Sequence, residues 1–384
     1  LKDDGTLYTE NLRSAQQRDV YICRGDGEEV FEPHFTYHGF RYVEVRGLPE
    51  PPRRSDLTGR VFHSAAPVAG RFRCSNELIN RLMRNVLWTQ RGNMHSVPTD
   101  CPQRDERAGW MGDIQAFSQT AIFNMDMAPF FTKWLADVCD SQHGDGCYPP
   151  FAPAAHQRGA PAWADGGVII PWRMYVNYAD RPLLERHFES ARRWVDFVHE
   201  HNPDLIWRNR RGGDYGDWLN ADRLKLDNWL ESDGAVPKVV LATAFFAHSA
   251  DLVGRMAKVL DRPEAARNYG NLAEKIKAAF NREFVDENGK IKGNTQAGYA
   301  LALRFDLLPE RLRPNAVEHI MAELKRYDGH LSTGIQTTHR LMLELTENGR
   351  HDEACRLIKL RTVPSWGYMI DPIRKGLEID RIVI

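Results

Sequence analysis

The spacing of apolar positions divides the chain into two unlike parts. From Leu7 to about Val45, short β-prone runs alternate with turn residues. Asp19-Val20-Tyr21-Ile22-Cys23 runs into Gly25-Asp26-Gly27, and Phe40-Arg41-Tyr42-Val43-Glu44-Val45 alternates with a period of two. That pattern predicts an all-β segment. The run from Gly47 to Arg54, Gly-Leu-Pro-Glu-Pro-Pro-Arg-Arg, is dense in proline and charge, and after it the period becomes helical. The boundary is therefore expected between residues 47 and 74, giving a domain tail and linker over 1–70 and a helical domain over 71–384.

In the second part, Ser75 is positioned to cap a helix in which Leu78, Ile79, Leu82, Val86 and Leu87 recur at three and four residues. Further helices are expected near 113–124, 127–140, 166–179, 181–201, 237–260, 263–282, 293–305, 309–327, 332–347 and 350–360. Two long irregular stretches interrupt them, 141–165 and 203–236, and loops of that length inside a compact domain are usually functional. Hairpins of about 45 residues without a repeated motif leave a solenoid or a closed toroid of helices, and the missing self-similarity favours the toroid. The expected fold class is mainly α. An eleven-helix count leaves a twelve-helix toroid one helix short at its C-terminal end.

Charge adds exclusions. Lys plus Arg total 51 against 52 Asp plus Glu, so there is no electrostatic footprint for nucleic acid or an anionic membrane. No run approaches the roughly 18 consecutive apolar residues of a membrane span, and Leu-Lys-Asp-Asp-Gly at the start lacks the order of a signal peptide. The chain reads as soluble, cytoplasmic or secreted. The cysteines (Cys23, Cys74, Cys101, Cys139, Cys147, Cys355) form no CxxC pair and are expected as free thiols. His34, His38, His95, His143 and His156 form no HExxH pair, and Asp140 and Asp145 beside Gly144 and Gly146 do not match a calcium loop, so no metal is expected. With no P-loop, Gly-x-Gly-x-x-Gly or Gly-x-Ser-x-Gly run, no cofactor is expected either.

The densest chemistry lies in Val97-Pro-Thr-Asp-Cys-Pro-Gln-Arg-Asp-Glu-Arg-Ala-Gly-Trp-Met-Gly-Asp113. Asp100, Asp105, Glu106 and Asp113 crowd one bend, where like-charge repulsion raises one carboxyl pKa while Arg104 and Arg107 hold the others ionised. A surface ion-pair loop would have the same charges. Trp110, flanked by Gly109 and Gly112, argues for a sugar subsite instead, because a pyranose needs carboxylates for its hydroxyls and an apolar plate for its face. Ten tryptophans, several beside Gly, Asp or Pro, fit that reading.

The run Asp100-Cys-Pro-Gln-Arg-Asp-Glu-Arg-x-Gly-Trp-x-Gly-Asp113 resembles the signature of family 78 of the glycoside hydrolases, the bacterial α-L-rhamnosidases. Phe35-Thr-Tyr-His-Gly-Phe-Arg-Tyr-Val43, Pro161-Ala-Trp-Ala-Asp165, Gly213-Asp-Tyr-Gly-Asp-Trp-Leu219 and Pro364-Ser-Trp-Gly-Tyr-Met369 are similar to the same family, in the same order. The resemblance implies an (α/α)6 toroid, incomplete at the C-terminus, preceded by the tail of a β-sandwich domain. It implies inverting hydrolysis of terminal α-L-rhamnosyl residues, so the partner is a carbohydrate. Glu106 is then the general acid. Asp100, Arg104, Trp110 and Asp113 hold the sugar ring, with ionised Asp100 and Asp113 accepting from its hydroxyls, and Trp163, Trp218 and Trp366 are its walls. The family's general base is a Glu in a Gly-Ala-Thr-Thr-x-Trp-Glu segment after the Trp-Gly-Tyr-Met run. After Ile370 this chain reads Asp-Pro-Ile-Arg-Lys-Gly-Leu-Glu-Ile-Asp, so the role is not assigned to Glu378. Two alternatives stay open: a rhamnose-binding remnant without the base, and another six-hairpin hydrolase or lyase.

Overall fold

A computed structural model describes residues 1–154, 156–208, 212–221 and 235–370. Its helices are α1 (Glu77–Asn93), α2 (Met111–Asn124), α3 (Ala128–Asp140), α4 (Gly166–Tyr178), α5 (Arg181–His201), α6 (Lys238–Val259), α7 (Pro263–Phe284), α8 (Gln296–Arg304), α9 (Arg313–Arg326), α10 (Thr338–Glu347), α11 (His351–Lys359) and α12 (Trp366–Ile370). All of the expected runs are present. The short α12 supplies the position that the count of eleven left open.

Two helix populations follow from composition. α6 and α8 are apolar on nearly every side and buried along their length, whereas α5, α7 and α11 carry one apolar stripe and a charged outer face. A helix that is apolar all round has to be enclosed, and an amphipathic one encloses it. Accordingly α2, α4, α6, α8 and α10 pack in sequence as an inner ring. α3, α5, α7, α9 and α11 lie outside them. α12 meets both α1 and α11, and α11 meets α1, which closes the circle into the (α/α)6 toroid. α6 has the length and apolarity of a membrane-spanning helix, yet it is mostly buried as a wall of this ring.

Two helix starts differ from expectation for local reasons. α1 is capped by Asn76 rather than Ser75: the Asn76 carboxamide oxygen accepts from Leu78 N at 3.0 Å and Ile79 N at 3.3 Å. α10 begins at Thr338 rather than near 332, because the amides of Gly334 and Gln336 and the Thr337 hydroxyl donate to Asp217 and are withdrawn from a helical ladder.

The expected strands before residue 47 do not pair among the described residues. That segment holds a 3₁₀ turn at Glu10–Leu12, and Val20, Ile22, Val30 and Phe35 face solvent. Strand alternation is stabilised by neighbouring strands and a covering layer, and no described element covers these positions. The paired strands are β1 (Met94–His95) and β2 (Val97–Pro98), a small antiparallel hairpin between α1 and α2. That hairpin sends the chain into the acidic bend at the mouth of the ring.

Candidate functional site

The bend from Thr99 to Trp110 is tied by its own acids. Asp100, with 6% of its side chain exposed, accepts from Ala108 N at 3.0 Å and from Arg104 Nη2 at 3.0 Å. Those bonds fold the intervening residues into a closed loop. Arg104 also reaches Glu106, with Nε 3.1 Å and Nη2 2.9 Å from Oε2. Trp110 Nε1 donates to Glu106 Oε1 at 2.9 Å. The structure therefore joins Asp100, Arg104, Glu106 and Trp110 in one hydrogen-bonded chain. The Glu106 side chain retains 26% of its exposure, so its carboxyl is accessible from outside.

Asp113 sits in the first turn of α2. Protein surrounds its carboxyl on nearly all sides, although part of the residue's surface stays open. Its pKa is pushed up to about 7, first by burial and then by the charges of Asp100 and Glu106, against the pull of Arg104. Crowding of acids does raise one carboxyl, as expected from sequence. The raised group is Asp113, which was expected to be ionised throughout. Arg107 departs from expectation as well: its guanidinium lies 4.1 Å from the Tyr37 ring centroid rather than against an acid. Asp105 is exposed and paired with Ser14, which lowers its pKa.

Glycines allow the aromatic wall to approach. A Cβ on Gly112 would lie 2.5 Å from the Trp163 indole, so only glycine admits that ring against the start of α2. Gly109 meets the Ala152 carbonyl in the same way, and the bridge between Trp110 and Phe151 runs beside it, with Ala152 N donating to Gly109 O at 3.0 Å. Trp110, Trp163 and Trp218 converge on one residue that the sequence did not single out, Tyr215, with ring centroids at 5.3, 5.1 and 6.0 Å from it. Phe151 adds a tilted contact to Trp110 at 5.1 Å. The Tyr215 hydroxyl pKa is raised by burial and then by the Glu106 charge. Trp218 is 44% exposed and presents a free face, whereas Trp163 is 3% exposed and backs Tyr215 from within. Trp366 opens α12, and no described ring contact joins it to this cluster.

Two further acids in the quoted motifs were not singled out. Asp165 is fully buried and accepts from Ala162 N at 2.6 Å, Trp194 Nε1 at 2.8 Å and Ser249 Oγ at 2.6 Å. Burial nevertheless pushes it up to about 6. Asp217 accepts from Gly334 N at 2.8 Å and Gln336 N at 3.0 Å, and its pKa is raised by burial. Asp165 ties the start of α4 to α5 and α6, and Asp217 ties its loop to the turn before α10. An Asp one residue before Trp218 in a glycine-rich loop was the available signal for the second; Tyr215 between Asp214 and Gly216 was the signal for the aromatic hub.

Chemically, the site offers carboxyl acceptors at Asp100 and Asp113, an aromatic plate at Trp110, Tyr215 and Trp218, and an accessible carboxyl at Glu106. Residues 371–384, which include Glu378, lie outside the described residues.

Comparison with known proteins matches residues 67–372 to the family model described as the bacterial alpha-L-rhamnosidase 6 hairpin glycosidase domain. Residues 1–63 match the bacterial alpha-L-rhamnosidase concanavalin-like domain. An alpha-L-rhamnosidase of Streptomyces avermitilis is 46% identical over 97% of this chain, and one of Formosa agariphila is 38% identical over 97%. The chain spans 35% and 40% of those relatives' lengths. Among solved structures, the Streptomyces avermitilis enzyme complexed with L-rhamnose superposes with a TM-score of 0.90 at 46% identity, covering 98% of this chain and 35% of that one. The alpha-L-rhamnosidase of Dictyoglomus thermophilum gives 0.88 at 37% identity, over 96% of this chain and 41% of that one.

Proposed function

The chain belongs to the bacterial α-L-rhamnosidases, and on that premise we propose that it carries the acid half of a site that hydrolyses terminal α-L-rhamnosyl residues with inversion. In this reading Glu106 is the general acid and protonates the departing glycosidic oxygen. Asp100, Arg104 and Asp113 hold the ring hydroxyls, and Trp110, Trp218 and Tyr215 stack on the sugar and its C6 methyl, backed by Trp163. Trp366 is kept as a further wall. The observation that carries the proposal is the fixing of an accessible Glu106 carboxyl by Trp110 Nε1 and by Arg104, which also holds Asp100.

Inversion needs a second carboxylate roughly 6.5–9.5 Å from the acid, with a water between them. The expected place for it, after Met369, falls where residues 371–384 lie outside the described residues. The division into 1–70 and 71–384 is part of the same proposal and is supported by the two family matches, which end at 63 and begin at 67.

A second reading, rhamnose binding without turnover, is favoured by one observation: Asp371-Pro-Ile-Arg-Lys-Gly follows Ile370 in place of the family's Gly-Ala-Thr-Thr run. Cleavage of an aryl α-L-rhamnoside by the chain and by Glu106→Gln, with L-rhamnose binding measured calorimetrically on both, separates the readings. Turnover that Glu106→Gln lowers about 100-fold or more supports the general acid. Equal turnover in both proteins refutes it, and binding with no turnover in either selects the second reading.

A further inference from the structure

The Glu106 carboxyl has a partner from outside the helical ring. Arg13 follows the 3₁₀ turn Glu10–Leu12, and its Nη1 lies 2.9 Å from Glu106 Oε2. It is not a lone contact. Ser14 Oγ donates to Asp105, Gln17 Nε2 donates to the Gln103 carbonyl, and Tyr37 receives the Arg107 guanidinium on its face. Gly39 lies so close to Pro102 that a Cβ there would meet the proline ring at 2.8 Å. The segment matched by the concanavalin-like family model is thus laid along the acidic bend from Pro102 to Arg107.

Arg13 itself is held at φ 57° and ψ −117°, a conformation that a non-glycine residue adopts only when its surroundings require it. In that conformation its guanidinium meets Glu106. The two oxygens of Glu106 are consequently unlike. Among the described residues, Oε2 receives both Arg104 and Arg13, while Oε1 receives only the neutral Trp110 indole. Oε1 is thus the oxygen that no described cation holds, and it is left to meet a substrate atom.

We propose that Arg13 is a positioning residue for Glu106: with Arg104 it anchors Oε2, so that Oε1 is the oxygen that carries and delivers the proton. This rests on the reading of Glu106 as the general acid. In the step, the Oε1 proton passes to the glycosidic oxygen as the C1–O bond breaks and its electron pair goes to that oxygen. The carboxylate left behind faces two guanidiniums. The N-terminal segment thereby contributes to the chemistry of a site otherwise built by the ring.

Two measurements on the full chain test it. The first needs no turnover: the ¹⁵N–¹H resonance of the Trp110 indole, assigned with Trp110→Phe, reports whether Glu106 stays in place. It shifts in Arg13→Ala and returns toward its original position in Arg13→Lys if Arg13 anchors the carboxyl. An unchanged resonance in Arg13→Ala overturns the proposal. The second is leaving-group dependence, because a 2,4-dinitrophenolate departs without protonation and an alkoxide does not. Arg13→Ala is expected to lower kcat about tenfold on an alkyl α-L-rhamnoside, at little change in KM, and about twofold or less on the dinitrophenyl substrate. Equal losses on both substrates overturn the positioning role. Glu106→Gln is the control for the underlying reading: if it shows no leaving-group discrimination, the general-acid assignment fails, and the indole resonance alone then decides whether Arg13 holds the carboxyl.

Discussion

Removing the Asp113 charge should change the pH dependence of stability in a direction opposite to that of an ordinary ion-paired acid. Asp113 is raised from 3.8 to about 7 by burial and by its acidic neighbours. Between those values the folded state binds one more proton than the unfolded state, so stability falls as pH rises, by up to about 1.4 kcal/mol per unit. Over the full interval of about three units the cost of ionising Asp113 reaches about 4 kcal/mol. Asp113→Asn keeps the size and removes the titration. Its stability relative to the parent is expected to grow by about 3 kcal/mol between pH 5 and pH 8. Urea unfolding followed by tryptophan fluorescence at intervals across that range gives both curves, and their difference cancels the titrating groups that do not interact with Asp113. A constant offset in Asn, from an amide that hydrogen-bonds less well than a protonated carboxyl, does not alter the slope. If the difference stays constant within about 0.5 kcal/mol, Asp113 is not forced to ionise in a desolvated position, and the account of its burial is wrong.

Other consequences are more local. Asn76→Ala should cost about 1 kcal/mol in urea unfolding through loss of the α1 cap, with Ser75→Ala near zero; the reverse order would return the cap to Ser75. Gly112→Ala should destabilise by about 1–3 kcal/mol and weaken L-rhamnose binding, since its Cβ displaces the Trp163 indole; unchanged stability would mean the ring can retreat freely. Tyr215→Ala should weaken L-rhamnose binding about tenfold by calorimetry while Tyr215→Phe retains most of it, because the ring holds three tryptophans in place; equal effects would point to the hydroxyl instead.

The helical half of the fold was legible because each helix carries its own period. Apolar residues all round α6 and a single stripe on α7 state which helix is inside, without reference to any neighbour. α12 escaped notice because Trp366–Ile370 is barely more than one turn and has no period to display. The start of α10 was misplaced for a different reason. Its first turn is undone by Asp217, which is 120 residues away from Thr337 in sequence, and no local window contains that acid. Residues 1–63 match a concanavalin-like domain, as the sandwich tail requires, yet the strands before residue 47 find no pairing partner among the described residues, since alternation records only that two faces differ and not that anything lies against either face.

For the site, proximity in sequence and proximity in space coincide over Asp100–Asp113, which is why one bend supplied most of the candidates. What sequence could not rank was the acids within it. Repulsion among neighbours is visible in the spacing, but the leading cause at Asp113 is burial, and α2 is enclosed by parts distant in sequence: α4 packs on it, Trp163 lies against Gly112, and Gln336 donates to the Gly112 carbonyl. Aromatic convergence is hidden in the same way: Trp110, Trp163 and Trp218 looked like three separate choices between core and wall. Their common contact with Tyr215 makes the choices dependent, so that Trp163 can be a core residue and still set the position of the plate that Trp218 exposes. A wall of this kind is read from which ring backs which, and that ordering belongs to the closed ring of helices rather than to any one motif.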